Sequence, residues 1–139
     1  MTERTLAIIK PDAAERHLIG EIIRRYEQAG FQIIAMKLVK LTKKDAGQFY
    51  SAHRERSFFE SLVNFMASGM IVVLVLQGEK VIQRHRDLMG ATDPKKANKG
   101  TIRCDFGSDI EHNVVHGSDS ADSAKIEIPF FFSPQEIVG

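Results

Sequence analysis

Four β-rich runs alternate along the chain with stretches of helical periodicity. Thr5 to Ile9 is short, apolar and partly β-branched, and Pro11 closes it, which predicts a buried strand. Apolar residues then recur at Ile19, Ile22, Ile23 and Tyr26, ahead of Gly30, the pattern of an amphipathic helix with a C-terminal stop. Phe31 to Leu41 alternates in part and predicts a second strand. Thr42 is placed to cap a helix over Lys43 to His53, and Phe59, Leu62, Val63 and Met66 stripe another from Phe58 to Ala67. Ile71 to Leu76 is uninterrupted and β-rich, which fits a central strand. Glu79 to Met89 reads as helical and Gly90 stops it. A polar loop follows from Ala91 to Gly100, then a short strand at Val114 and Val115. A helix from Ser118 to about Phe131 precedes a final turn capped by Ser133-Pro134.

This order predicts an α/β sandwich with helices covering a sheet. A split βαβ arrangement of the ferredoxin-like type, with inserted helices, and a doubly wound parallel sheet both accommodate it. No repeat, low-complexity stretch or linker divides residues 1–139, so one domain is expected.

Composition narrows the function classes. The 139 residues suffice to bury a core without disulfide or metal staples. The net charge of +1 argues against a dedicated nucleic-acid binder, which carries a basic excess. Cys104 is the single cysteine, which excludes an intramolecular disulfide and fits a reducing compartment. The apolar run near the N-terminus is too short for a signal-peptide core or a membrane span, so a cytoplasmic protein is expected.

The segment from Asn113 to Asp119 carries the most chemistry. Val114 and Val115 point to a strand, Gly117 permits a sharp turn and close approach of a ligand, and Ser118 and Asp119 are N-cap types. His116 is therefore expected at a strand-to-helix corner, where free N–H groups favour anions. A neutral imidazole there is suited to attack phosphorus as a nucleophile, although the same position also suits a structural histidine. His112 lies four residues before His116, but on a strand that separation is roughly 13 Å, too far for one metal to bridge. His85-Arg86-Asp87-Leu88 copies the start of a protein-kinase catalytic loop, yet Thr92 occupies the asparagine position and no glycine-rich loop precedes it. Lys10, Arg86 and Arg103 are cations able to grip phosphate oxygens.

Taken together these pieces resemble nucleoside diphosphate kinases. Thr5 to Asp12 resembles the family's first strand, His53 to Arg56 with Phe58-Phe59 its nucleotide-clamping hairpin, and Met89 to Pro94 with Gly100 to Arg103 its phosphate-binding loop. Asn113-Val-Val-His116-Gly-Ser-Asp119-Ser120 is similar to its active-site signature, and the likeness runs from about Arg4 to Ile137.

The resemblance implies a ferredoxin-like α+β sandwich, βαββαβ, with a four-stranded antiparallel sheet covered by helices. It implies that His116 is phosphorylated on the ring nitrogen nearer the backbone and passes the γ-phosphate of a nucleoside triphosphate to a nucleoside diphosphate, ribo or deoxyribo. It assigns the phosphates to Lys10, Arg86, Thr92 and Arg103, the ribose to Asn113 and base stacking to Phe58. Tyr50 supports the site beside Lys10, while Ser118 and Glu127 orient the imidazole. Mg2+ is expected on the nucleotide, held mainly by phosphate oxygens and water, with Asp119 at most an outer contact and no protein cage. Ser57, Met70 and Lys99 stand where relatives commonly carry proline, and Cys104 where a small residue is usual. A homotetramer is expected, with a dimer as the alternative. A ferredoxin-like RNA-binding module would need aromatics on its central strands, which Thr5 to Ile9 and Ile71 to Leu76 lack.

Overall fold

The computed structural model describes residues 2–139. Four strands, β1 (Thr2–Ile9), β2 (Gln32–Val39), β3 (Ile71–Glu79) and β4 (Val115–Gly117), form one sheet in the order β2-β3-β1-β4. Every neighbouring pair is antiparallel. That order excludes the doubly wound parallel sheet and is the ferredoxin-like arrangement.

Strict alternation explains why the sheet is covered on both faces. On β1, Leu6 and Ile8 enter one core together with Val73 and Val75 of β3, while Ala7 and Ile9 enter the other with Val72 and Leu74. The first core is closed by α3 (Lys43–Phe49), α4 (Phe59–Met66) and α7 (Ala121–Phe131), through Ala46, Val63, Met66, Ala124, Ile128 and Phe131. The second is closed by α2 (Ile19–Gln28), α5 (Val81–Met89) and α6 (Ile102–Phe106), through Ile22, Tyr26, Val81, Ile82, Met89 and Ile102. Each fully buried Val, Leu, Ile, Met or Phe among these contributes about 1.5–3 kcal/mol, and they are densest on the central strands.

Local chemistry moves several boundaries. β1 starts at Thr2, because Thr2 to Arg4 pair with Glu79 to Gln77. For the same reason β3 runs on to Glu79, and the helix expected from Glu79 begins only at Val81, after Lys80 turns the chain at φ +51°. The helix expected to reach His53 stops at Phe49 and is followed by a 3-10 turn over Ser51–His53. Two five-residue helices were not expected: α1 (Pro11–Glu15), with proline in its first turn, and α6, capped by the Thr101 hydroxyl on Cys104 N–H. The last long helix is capped by Ser120 rather than by Ser118 or Asp119, so His116 stands on β4 and not at a helix N-terminus.

Candidate functional site

The site is built where the end of β1 meets the entry to β4. Val114, buried and β-branched, sits at φ +79° and is not part of the strand. Val115 N–H reaches back to the Asn113 carbonyl at 2.9 Å, closing a three-residue γ-turn over Val114. A β-branched residue in that region costs about 1–3 kcal/mol and persists only when its surroundings fix it. Here Lys10 N–H donates to the Val114 carbonyl at 2.8 Å, and Val114 N–H donates to Asp12 Oδ2 at 3.2 Å. The turn thus holds Asn113 beside Lys10 and starts β4 at the register that pairs His116 with Ile8.

His116 Nε2 lies 3.1 Å from Glu127 Oε1 on α7. Ser118 Oγ–H donates to the same oxygen at 2.7 Å, and Leu6 N–H donates to Ser118 Oγ at 3.2 Å. A carboxylate only accepts, so Nε2 carries the proton and Nδ1, nearer the backbone, keeps the lone pair. Phe49 and Tyr50 meet the imidazole edge-on, with centroids at 5.5 and 6.1 Å, which fixes the ring plane.

Three cations, Lys10, Arg86 and Arg103, line the same cleft as this imidazole. Lys10 Nζ donates to Asn113 Oδ1 at 2.7 Å. Burial lowers the Lys10 ammonium to about 8; the Arg103 charge adds to this, and Asp12 and Glu111 oppose it. Arg103 is also buried, and it is a strut as well as a cation. Its Nε, Nη1 and Nη2 donate to the carbonyls of Asn113, Gly90 and Val115 at 3.3, 3.0 and 2.7 Å. Those bonds use three of the guanidinium's five N–H groups and leave two for a ligand. Arg86 on α5 is exposed, with no ion-pair partner among the described residues.

Lys10, Phe58, Arg86, Thr92, Arg103 and Asn113 line one cleft of about 890 Å³ together with His116 and Tyr50. Ser118 and Glu127 stand behind the imidazole. Phe58, at the N-terminal end of α4, is 45% exposed, which leaves its ring open to a ligand. Tyr50 packs against His116 through its ring, its hydroxyl is buried without a partner among the described residues, and burial pushes that hydroxyl up. Asn113 differs from the expected free ribose contact in one respect. Its amide is already engaged, accepting from Lys10 and donating to the Thr92 carbonyl at 3.0 Å, so it ties the lysine to the loop at Thr92.

One more residue joins the site without a local sequence signal. Asp12 holds the γ-turn. His85, from the kinase-like tetrapeptide, is fully buried, with Nε2 3.0 Å from the Tyr26 hydroxyl. Burial holds it neutral, lowered to about 3, with the His116, Arg103 and Arg86 charges adding. Gly117 lies directly on it: a Cβ there would be 2.5 Å from His85 Nδ1. His112 does not pair with His116; its Nδ1 is 2.9 Å from Asp109 Oδ1 and its ring meets Phe65 edge-on at 4.5 Å. Among the described residues no group of three or more His, Cys, Asp or Glu is placed to hold a metal, and no helix is long and apolar enough to cross a membrane.

Comparison with known proteins bears on this cleft. A family model described as nucleoside diphosphate kinase matches residues 3–137. The chain is 58% identical over 135 residues to the nucleoside diphosphate kinase of Campylobacter hominis, covering 97% of this chain and 98% of that protein. It is 56% identical over 136 residues to nucleoside diphosphate kinase 1 of Protochlamydia amoebophila, covering 98% and 96%. Among solved structures it superposes on the Aquifex aeolicus nucleoside diphosphate kinase with a TM-score of 0.97 at 50% identity, covering 99% of this chain and 100% of that one. The halophilic enzyme from Halobacterium salinarum in complex with CDP gives 0.96 at 39% identity, covering 100% and 93%.

Proposed function

The chain belongs to the nucleoside diphosphate kinase family, and on that premise we propose that His116 Nδ1 is the atom that accepts and returns the phosphoryl group. The protein is a phosphotransferase that binds nucleotides. In the first half-reaction the Nδ1 lone pair attacks the γ-phosphorus and the bond to the β-phosphate oxygen breaks, releasing a diphosphate. In the second, an oxygen of another nucleoside diphosphate attacks the same phosphorus and the P–N bond breaks. The observation that carries the reading is the pairing of His116 Nε2 with Glu127. It reserves Nδ1 for the substrate and balances the positive charge the ring gains on phosphorylation.

Lys10, Arg86 and Arg103 neutralise the phosphates, and Thr92 on the same cleft lining helps to hold them. Phosphoryl transfer depends chiefly on such positioning and charge compensation. Asn113 sets Lys10 toward the phosphates and contacts the ribose with its remaining capacity. Phe58 stacks on the base, and because every base shares a π-face this contact tolerates all of them. In this reading the family's divalent cation is Mg2+, which would arrive on the nucleotide, held mainly by phosphate oxygens and water, with Asp119 on the cleft lining at most an outer contact. Residues 1–139 act as one catalytic domain in the cytoplasm. Met36 and Leu38, 52% and 62% exposed on the edge strand β2, support a homo-oligomer, a tetramer or else a dimer, which light scattering distinguishes.

Incubation with γ-labelled ATP tests the central claim. The protein should acquire acid-labile, alkali-stable label that His116→Ala abolishes. Label that persists in that variant would overturn the assignment.

A further inference from the structure

The cleft extends from His116 past Phe58 to a second wall, the loop of residues 107–113, where Ile110 is 61% exposed. That loop is docked on α4 at two points one helical turn apart. Ser61 Oγ–H donates to Glu111 Oε1 at 2.7 Å, and Phe65 meets the His112 ring. Asp109 Oδ1 fixes the turn between them, accepting from Glu111 N–H at 3.0 Å and His112 N–H at 2.8 Å. A carboxylate is thus held on the lining of the cleft that Phe58 and Ile110 share, within electrostatic reach of Lys10 and apart from the imidazole's own partners. Its second oxygen, Oε2, has no partner among the described residues.

A group held so firmly, acceptor-only and flanked by apolar walls, is a reader of hydrogen-bond donors. We propose that Glu111 selects among bases by accepting a hydrogen bond from an exocyclic amino group, N4 of cytosine or N6 of adenine, and that Ser61 holds it in place to do so. Uracil and thymine present a carbonyl oxygen at the corresponding position, which a carboxylate repels. Stacking on Phe58 remains indifferent to the base, so the preference is modest and resides in Glu111. This inference rests on the reading that the Phe58 end of the cleft receives the base.

The cleanest comparison is CDP against UDP, which differ at that one position. The phosphoenzyme is prepared with γ-labelled ATP, freed of nucleotide, and mixed with CDP or UDP below saturation while loss of label is followed. The native protein should transfer to CDP about three- to tenfold faster than to UDP, the net worth of one ordinary hydrogen bond exchanged against water. Glu111→Gln keeps an acceptor for Ser61 but turns an N–H group toward the base, so the ratio should fall to one or invert. Ser61→Ala, which leaves the carboxylate in place but loose, should give an intermediate ratio and serves should the first variant fold poorly. Full labelling with a CDP to UDP ratio unchanged by Glu111→Gln would overturn this inference alone. Failure of the native protein to become labelled would instead overturn the phosphohistidine reading.

Discussion

Glu127 Oε1 is shared between His116 Nε2, at 3.1 Å, and Ser118 Oγ, at 2.7 Å. The hydroxyl in turn accepts from Leu6 N–H, so a continuous run of hydrogen bonds ties the backbone of β1 to the imidazole through α7. Ser118 is fully buried and follows β4 closely, which makes the carboxylate's position a property of the sheet rather than of a mobile side chain.

Removal of that carboxylate should therefore slow chemistry more than binding. Glu127→Ala is expected to lower the rate of phosphoenzyme formation by about ten- to a hundredfold, the usual effect of losing a histidine's orienting partner. Glu127→Gln, which still accepts from Nε2–H, should lose less. Rapid-quench kinetics give the rate and equilibrium titration the nucleotide affinity; an affinity loss as large as the rate loss would mean that Glu127 shapes the cleft instead.

Lys10 should give the enzyme an alkaline limit. Its ammonium is lowered to about 8, so kcat/KM for nucleotides should fall as pH rises through that value and the cation is lost. Stability moves the other way. The unfolded chain keeps this proton up to about 10.5, so between about 8 and 10.5 the unfolded state binds more protons and the Lys10 contribution to stability rises with pH. Lys10→Arg, charged throughout, should flatten the alkaline limb of the pH-rate profile. A limb that stays at the same pH would assign it to another group.

Gly117 should tolerate no side chain. A Cβ would lie 2.5 Å from His85 Nδ1 and 2.7 Å from Met89 Cε. The methionine tip can yield, whereas His85 is fully buried and bonded to Tyr26. Gly117→Ala is expected to destabilise the fold by about 1–3 kcal/mol, as overpacked cores do, and to displace His116 next to it. Denaturant unfolding of Gly117→Ala, His85→Ala and the double variant should show a favourable coupling between the two changes. Strict additivity would show that the strain is taken up elsewhere.

Two elements are most legible in the sequence: the uninterrupted run Ile71 to Leu76, which only a strand covered on both faces buries, and the helical stripe through Ile22 and Tyr26, which needs one covered face. α6 leaves no trace in the pattern, because five residues cannot show a helical period and its Thr101 cap sits in a polar stretch. The β-branched Val114 favours a strand by its own preference, but the ties to Lys10 and Asp12 override it. Those ties join residues about a hundred positions apart, and Ser61 to Glu111 spans fifty. No local pattern encodes them. Glu127 was reached through family resemblance alone, for the same reason.

Lys99 offers a stabilising change that the turn geometry supports. Thr101 N–H donates to the Asn98 carbonyl at 3.2 Å, so residues Asn98 to Thr101 form a β-turn, and Gly100 in its third position has φ +91°. Positive φ at that position marks a type II turn, in which the second position favours proline. Lys99 occupies it, is exposed, and its backbone N–H donates no hydrogen bond among the described residues. Proline there restricts the unfolded chain while removing nothing from the folded one. Lys99→Pro should stabilise the protein by about 0.4–1 kcal/mol. For a chain of this size that corresponds to a rise of about 1–5 °C in Tm. The lost charge matters little, since Lys95 and Lys96 stay exposed nearby and surface charges are screened. Melts of both forms belong at one protein concentration, because the stability of an oligomer depends on it. A lower Tm for the variant would mean that Asn98 cannot take the extended conformation demanded of a residue before proline.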